Sequence, residues 1–263
     1  MATQTREVVP APTRRERQRA ATYDEIVTVA RQLLGSPDAL SLRAVAAEMG
    51  LTAPALYRYV DSYHELLMLV AQAIFRDVIS AMTSARDRHG DDDPAAQLVA
   101  STVAFRRWAL RHPAEFGLIF ANAAVAESPD VLEPADPSAP GGGAQFSEFF
   151  TDIFLRVWDR YQFAVPTDSD LETALLERLR DQRACGSLSC DFPGHPLGLS
   201  WIFIRCWARL YGTVTLEVFK HLDPGVIDSG ALFRAMLEDN GRDLSFEDDQ
   251  QRLLALTEAE MSR

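Results

Sequence analysis

From Ile26 onward the large apolar residues of this chain recur every three or four positions, and no run of four to eight residues alternates apolar with polar. An apolar stripe of that period lies on one side of an α-helix, whereas a half-buried strand needs a period of two. The expected fold class is all-α. At 263 residues and 47% hydrophobic, the chain is long and apolar enough to build one large domain or two smaller ones.

Local start and stop signals divide it into helices. Residues 1–13 hold three Thr, two Pro and few large apolar groups, and 14–19 read RRERQR, so 1–20 is expected to be a flexible N-terminal tail and basic arm. Thr22-Tyr23-Asp24-Glu25 has the Thr-x-x-Glu pattern of a capping box, predicting a helix with Ile26, Val29, Ala30, Leu33 and Leu34 inward, ended at Gly35-Ser36-Pro37-Asp38. Ser41 is placed to cap a second, very short helix (Leu42, Val45, Ala46 and Met49 inward), and Gly50 to stop it in a left-handed conformation. Thr52 is placed to cap a third, with Pro54 in its first turn and Leu56 and Val60 inward. Ser62-Tyr63-His64-Glu65 opens a long helix carrying Leu66, Val70, Ile74, Val78 and Met82.

Beyond it, Pro94 predicts a helix to about Arg111, and His112-Pro113 separates that from a shorter one near Ala114 to Ala123. Ser128 to Gly143, with four Pro and three consecutive Gly, is expected to be a loop. Residues 145–163, 168–183, 197–220 and 228–238 have helical spacing. The expected domains are a helix-turn-helix unit at 21–67, a helical regulatory and dimerisation domain at 68–243, and a polar C-terminal tail at 244–263.

Two short helices joined through a glycine turn and followed by a long one have the geometry of a helix-turn-helix, whose second helix enters the major groove. Burying Leu56 and Val60 turns Ala53, Pro54, Ala55, Tyr57, Arg58 and Tyr59 partly or wholly outward. Arg58 can grip both acceptors of a guanine, Ala53 and Ala55 can meet thymine methyl groups, and the hydroxyls of Tyr57, Tyr59 and Tyr63 can reach phosphates, as can Thr52 and Arg43. Charge agrees with this placement. The whole chain carries −12, yet residues 1–67 hold eight Arg against eight acidic residues, so the acidic excess lies entirely in the remainder. A polyanion is repelled by that remainder and admitted by the first quarter.

The stretch Leu40 to Leu67, LSLRAVAAEMGLTAPALYRYVDSYHELL, resembles the DNA-binding signature of the tetracycline-repressor family. The resemblance implies that Arg43, Thr52, Ala53, Pro54, Ala55, Tyr57, Arg58 and Tyr59 face DNA. Tyr63 stands where the family usually has Lys, which removes a charged phosphate contact that His64 or the Arg14 to Arg19 arm would have to replace. The segment from Trp207 to Glu217, WARLYGTVTLE, is similar to the Trp-His-Gly pattern of one branch of the family, with Tyr211 in place of His, and Phe116 to Phe120 fits the same branch. That likeness implies a helical regulatory domain that pairs two copies. The apolar segment from Leu197 to Phe219 is the expected homodimer interface, and two copies would read two half-sites about one DNA turn apart.

These likenesses imply a sequence-specific transcriptional regulator of double-stranded operator DNA, a repressor released by a small apolar or aromatic effector. An activator of the same family and a helical protein-interaction module are the alternatives. Phe105, Trp108, Phe116, Phe120, Phe150, Phe154, Trp158 and Trp201, with Trp207, are candidates to line an effector pocket, or else plain core. No cofactor or metal is expected: Cys185, Cys190 and His195 are spaced Cys-x4-Cys-x4-His, which matches no standard zinc pattern. An enzyme is disfavoured by the lack of a phosphate-binding Gly loop, a Gly-x-Ser-x-Gly elbow or a His-Glu-x-x-His pair. No stretch reads as a membrane span and the polar, Arg-containing start is unlike a signal peptide, so a cytoplasmic location without membrane contact is expected.

Overall fold

A computed structural model of the chain describes residues 13–35, 40–126, 128, 141–181 and 192–263. Its regular elements among the described residues are all helical. The chain forms two compact units, Met1–Val70 and Ala71–Arg263.

The first unit contains α1 (Arg14–Leu33), α2 (Leu42–Glu48), α3 (Ala53–Leu56) and the opening turns of α4 (Tyr63–Arg86). Ile26 and Ala30 of α1, Leu42, Val45 and Ala46 of α2, Leu56 and Val60, and Leu66, Leu67, Met68 and Val70 of α4 are the buried apolar residues of this unit among those described. Helix α1 starts eight residues before the predicted Thr22. Thr13 accepts the Glu16 amide at 3.3 Å while the Glu16 carboxylate takes the Thr13 amide at 2.6 Å, so the capping box sits at 13–16. Arg, Glu and Gln are good helix formers, and nothing between Arg14 and Thr22 interrupts them. Thr22 is an interior residue whose hydroxyl donates to the Gln18 carbonyl at 3.1 Å. The basic arm is thus helical from Arg14.

The second unit is built around α5 (Pro94–Arg111), buried on most of its surface and packed against α8 (Gly142–Tyr161), α10 (Leu197–Val218) and α13 (Gln250–Met261). Asp93 caps α5 by accepting the Ala96 amide at 3.1 Å. The polar residues buried on α5 are satisfied: the Gln97 amide donates to the His89 and Gly90 carbonyls, both at 3.2 Å, and its carbonyl accepts from Arg156 at 2.5 Å. Between α5 and α8 lie α6 (Pro113–Phe116), a π-helical turn at Gly117–Ala121, and α7 (Ala123–Ala126), where a single short helix was expected. The remaining elements are α9 (Thr173–Arg180), α11 (Pro224–Ser229) and α12 (Ala231–Asp243).

Five expectations need correction here. Gly142 and Gly143, assigned to the Ser128–Gly143 loop, belong to α8, because the Gly142 amide is held by Gln72 Oε1 at 2.6 Å where any side chain would strike Phe75. Of the predicted helix at 168–183, the described residues up to 181 form a 3-10 turn, Asp168–Asp170, and the two-turn α9, and the helix predicted at 228–238 is divided at Gly230. The polar tail at 244–263 instead forms α13, with Leu253, Thr257 and Glu260 buried. Finally, α4 is long and apolar enough by composition to cross a membrane, yet 56% of that apolar window is buried within the protein, as expected of a core helix.

Candidate nucleic-acid interface

Ser41 caps α2 by accepting the Ala44 amide at 3.1 Å. Its other end closes with Gly50 at φ 66°, the Leu51 amide on the Ala46 carbonyl at 2.8 Å and the Gly50 amide on the Ala47 carbonyl at 3.1 Å. This paired six-to-one and five-to-two closure turns the chain sharply, and only a residue without Cβ takes that φ freely. Leu42, Val45 and Ala46 are buried as predicted, while Met49 is half-buried. Thr52 occupies the cap position of α3, but its hydroxyl makes no capping bond, and its carbonyl alone receives the Ala55 and Leu56 amides at 2.9 and 3.2 Å. The helical hydrogen bonding continues past α3 through Tyr57 on Ala53 at 3.1 Å and Val60 on Leu56 at 3.1 Å.

With Leu56 and Val60 fully buried, the rest of this segment faces away from the core. Arg43, Thr52, Pro54, Tyr57, Arg58 and Tyr63 are exposed, and Ala53, Ala55 and Tyr59 are half-buried. Tyr57 is 49% and Tyr63 47% exposed, large values for aromatic rings. Ser62 caps α4 through the Glu65 amide at 3.1 Å, while Glu65 reaches back to the Asp61 amide at 2.5 Å rather than to Ser62 itself.

One residue of this unit escaped the sequence reading. The Tyr23 hydroxyl donates to the Tyr59 carbonyl at 3.1 Å, accepts Arg19 Nη2 at 3.2 Å, and its ring meets the Tyr59 ring edge-on at 5.7 Å. Helix α1 thereby holds the far end of the α3 segment. The only sequence signal was the spacing of Arg15, Arg19 and Tyr23, four residues apart along one side of a helix.

In the second unit the aromatic candidates separate into two groups. Phe105 and Phe116 are fully buried and pack with Phe120 and Phe146 at ring distances of 5.0 to 6.2 Å, a solid aromatic core. Trp108 stacks on His112 at 5.4 Å, and Trp158 meets Phe163 at 4.9 Å. Trp201 is half-buried on α10. Phe150 and Phe154, with Trp207, line a cavity of about 100 Å³ whose wall also includes Val99 and Thr102 of α5. Cys206 of α10, Leu237, Asn240 and Gly241 of α12, and Leu253 and Thr257 of α13 also line it. The Thr102 and Thr257 hydroxyls donate to the Leu98 and Leu253 carbonyls of their own helices, both at 2.8 Å, so they present methyl groups. Burial pushes the Cys206 thiol up to about 12, leaving it neutral at physiological pH. Its charged lining residues are Glu238, half-buried, and the exposed Arg242 and Glu247, with Arg242 paired with Asp239 at 2.5 Å.

Tyr211, at the position of the family's His, donates its hydroxyl to the Phe120 carbonyl at 2.8 Å and stacks on Trp207 at 5.9 Å. The candidate metal residues Cys185 and Cys190 lie outside the described residues. Among the described residues no three His, Cys, Asp or Glu side chains are gathered to hold a metal.

A glycine-turned pair of short helices presenting exposed Tyr57 and Arg58, in a chain whose regular elements are all helical among the described residues, defines a helix-turn-helix DNA-binding protein. Residues 98–240 match the family model described as the tetracyclin repressor-like C-terminal domain. The chain is 30% identical over 213 residues to the HTH-type transcriptional regulators Rv1816 of Mycobacterium tuberculosis and Mb1846 of Mycobacterium bovis, covering 75% of this chain and 82% of each relative. Its fold matches a solved structure described as that of a regulatory protein, SCO4313, with a TM-score of 0.58 and 25% identity, over 87% of this chain and 98% of that one. The chain belongs to the tetracycline-repressor family and is a DNA-binding transcriptional regulator. Regulators of this family bind operator DNA and act as dimers.

Proposed function

We propose that this regulator is a cytoplasmic repressor that binds its operator as a homodimer through the α3 segment and is released by a small, uncharged apolar molecule. Arg58 reads guanine, Ala53, Pro54 and Ala55 lie against base edges, and Arg43, Thr52, Tyr57, Tyr59 and Tyr63 hold the phosphate backbone. Two copies pair through α10, whose outward side carries Leu216 at 39% and Phe219, just past its end, at 38% exposure.

The observation that carries the effector is the cavity walled by α5, α8, α10, α12 and α13. At about 100 Å³ it is smaller than the roughly 150 Å³ apolar cavity that takes benzene, so it encloses a group of about four non-hydrogen atoms, and a longer molecule extends beyond it. Hydroxyls tied to their own helices and a neutral thiol give its interior no charged partner, so a buried ionic group would meet no compensation there. Among the charged residues that line it, two carboxylates outweigh one arginine already neutralised by Asp239, which disfavours an anion. An effector that binds more tightly to a conformer with altered half-site spacing draws the population away from the operator.

The test uses 1-octanol and octanoate, matched in size and opposite in charge character. Octanol is expected to raise the thermal unfolding temperature and to lower operator affinity, octanoate to do neither, and Leu254→Trp at the cavity wall to abolish both octanol effects. Equal action of the two compounds, or no effect of octanol, contradicts this effector class.

A further inference from the structure

We infer that the first turns of α1 form a second DNA contact, in which Arg14, Arg15 and Arg19 bind backbone phosphates beside the groove entered by α3. This rests on the reading that α3 enters the groove, and it adds a surface that the helix-turn-helix does not include.

Three observations carry it. Residues 13–20 are all exposed, and Arg14, Arg15, Arg17 and Arg19 are accompanied by a single acid, Glu16. The Glu16 carboxylate is folded back onto the Thr13 amide at 2.6 Å, and that bond with the Thr13 hydroxyl holds its carboxyl below the usual range. The basic stripe is also continuous with the α3 segment: Arg19 donates to Tyr23 at 3.2 Å, and Tyr23 donates to the Tyr59 carbonyl at 3.1 Å. Arg15 lies one helical turn beyond Arg19 on the same side, about 6 Å further out.

A flexible arm would have to be ordered on binding DNA, whereas these arginines already stand on a capped helix. Their fork geometry suits phosphate oxygens, and an isolated stripe without base-reading partners supplies affinity with no sequence preference. It also supplies the charge missing at Tyr63. The Tyr23 bond makes Tyr23 a positioning residue, setting the distance between this contact and α3.

The experiment measures binding of the full-length protein to a duplex chosen by in vitro selection, and to a scrambled duplex, across a salt series. Each phosphate contact contributes about 0.9 to the slope of log K against log salt. Arg14→Gln/Arg15→Gln is expected to flatten the slope by about 2 per bound copy on both duplexes, leaving the preference between them unchanged. Arg14→Lys/Arg15→Lys, which keeps the charge, is expected to retain the wild-type slope, separating a phosphate contact from a folding defect. An unchanged slope in the Gln variant, or equal losses in the Gln and Lys variants, overturns the inference. Failure of the underlying groove reading looks different, since the wild-type protein would then show no preference for the selected duplex.

Discussion

Glu217, 1% exposed within the second unit, accepts two hydrogen bonds from Arg106, at 2.6 Å from Nε and 3.2 Å from Nη2. The same guanidinium donates to the Ile227 carbonyl at 3.0 Å and lies 5.0 Å over the Phe233 ring. One ion pair therefore joins α5, α10, α11 and α12. Removing a single partner of such a pair strands the other charge, which costs about 3 to 5 kcal/mol. Glu217→Ala is expected to lower the stability measured by urea unfolding by that amount, with Glu217→Gln less damaging because an acceptor for Arg106 remains.

Ser41 and Thr52 occupy equivalent cap positions, but only the Ser41 hydroxyl takes a backbone amide. Ser41→Ala is therefore expected to cost about 1 kcal/mol of stability, the usual worth of an N-cap. Thr52→Ala is expected to change stability by less than about 0.5 kcal/mol, as surface substitutions do, while weakening operator binding. Chemical denaturation and anisotropy titration of the two variants separate a capping role from a phosphate contact.

Gly212 lies on α10 with no atom within 4 Å of where a Cβ would stand, between exposed Ala208 and Leu216. A side chain there fits the isolated protomer and improves helix propensity by about 0.5 to 1 kcal/mol. Gly212→Gln is expected to convert the dimer to monomer in light scattering without lowering helix content. A variant that stays dimeric at micromolar concentration places the interface elsewhere.

Tyr161 donates to Asp249 at 2.6 Å, and burial, followed by this bond, pushes its phenol up to about 12. A tyrosine is charged when deprotonated, so its contribution is complete below the ordinary value near 10 and fades as pH rises from there through about 12. Asp249 is shifted the other way, chiefly by Arg252 and then by Tyr161, and its contribution is lost only as pH falls through its lowered value. Tyr161→Phe keeps the ring against Phe246, at 4.7 Å, and is expected to flatten the alkaline limb of stability between pH 9 and 11.5. Wild-type and variant urea midpoints across that range provide the check.

Elements bounded by local chemistry were legible in the sequence. Asp93-Pro94 and His112-Pro113 delimit α5, and Ser41 and Gly50 delimit α2, because each signal acts on its own neighbouring backbone. The outward residues of the α3 segment followed from Leu56 and Val60 alone. The start of α1 was misread because two Thr-x-x-Glu patterns, at 13–16 and 22–25, compete, and either can cap a helix. Helix α13 was missed for a different reason. Its buried Glu260 reads as a surface residue, and its place in the core depends on Arg88, 172 positions away, with His89 at 3.5 Å and Arg263 at 3.7 Å. Which aromatics line the cavity depends on where α5, α8 and α10 leave a gap, so Phe150 and Phe105 are indistinguishable by composition or spacing.

The central claim is that this chain reads DNA sequence through the exposed α3 segment, and Arg58 tests it most directly. Anisotropy titration against a duplex selected in vitro and a scrambled one should give a salt-dependent preference of about a thousandfold or more. Arg58→Ala should cost about 1 to 3 kcal/mol on the selected duplex and relax the choice at one guanine, with little effect on the scrambled duplex. Equal loss on both duplexes, or none on either, would contradict base reading by Arg58.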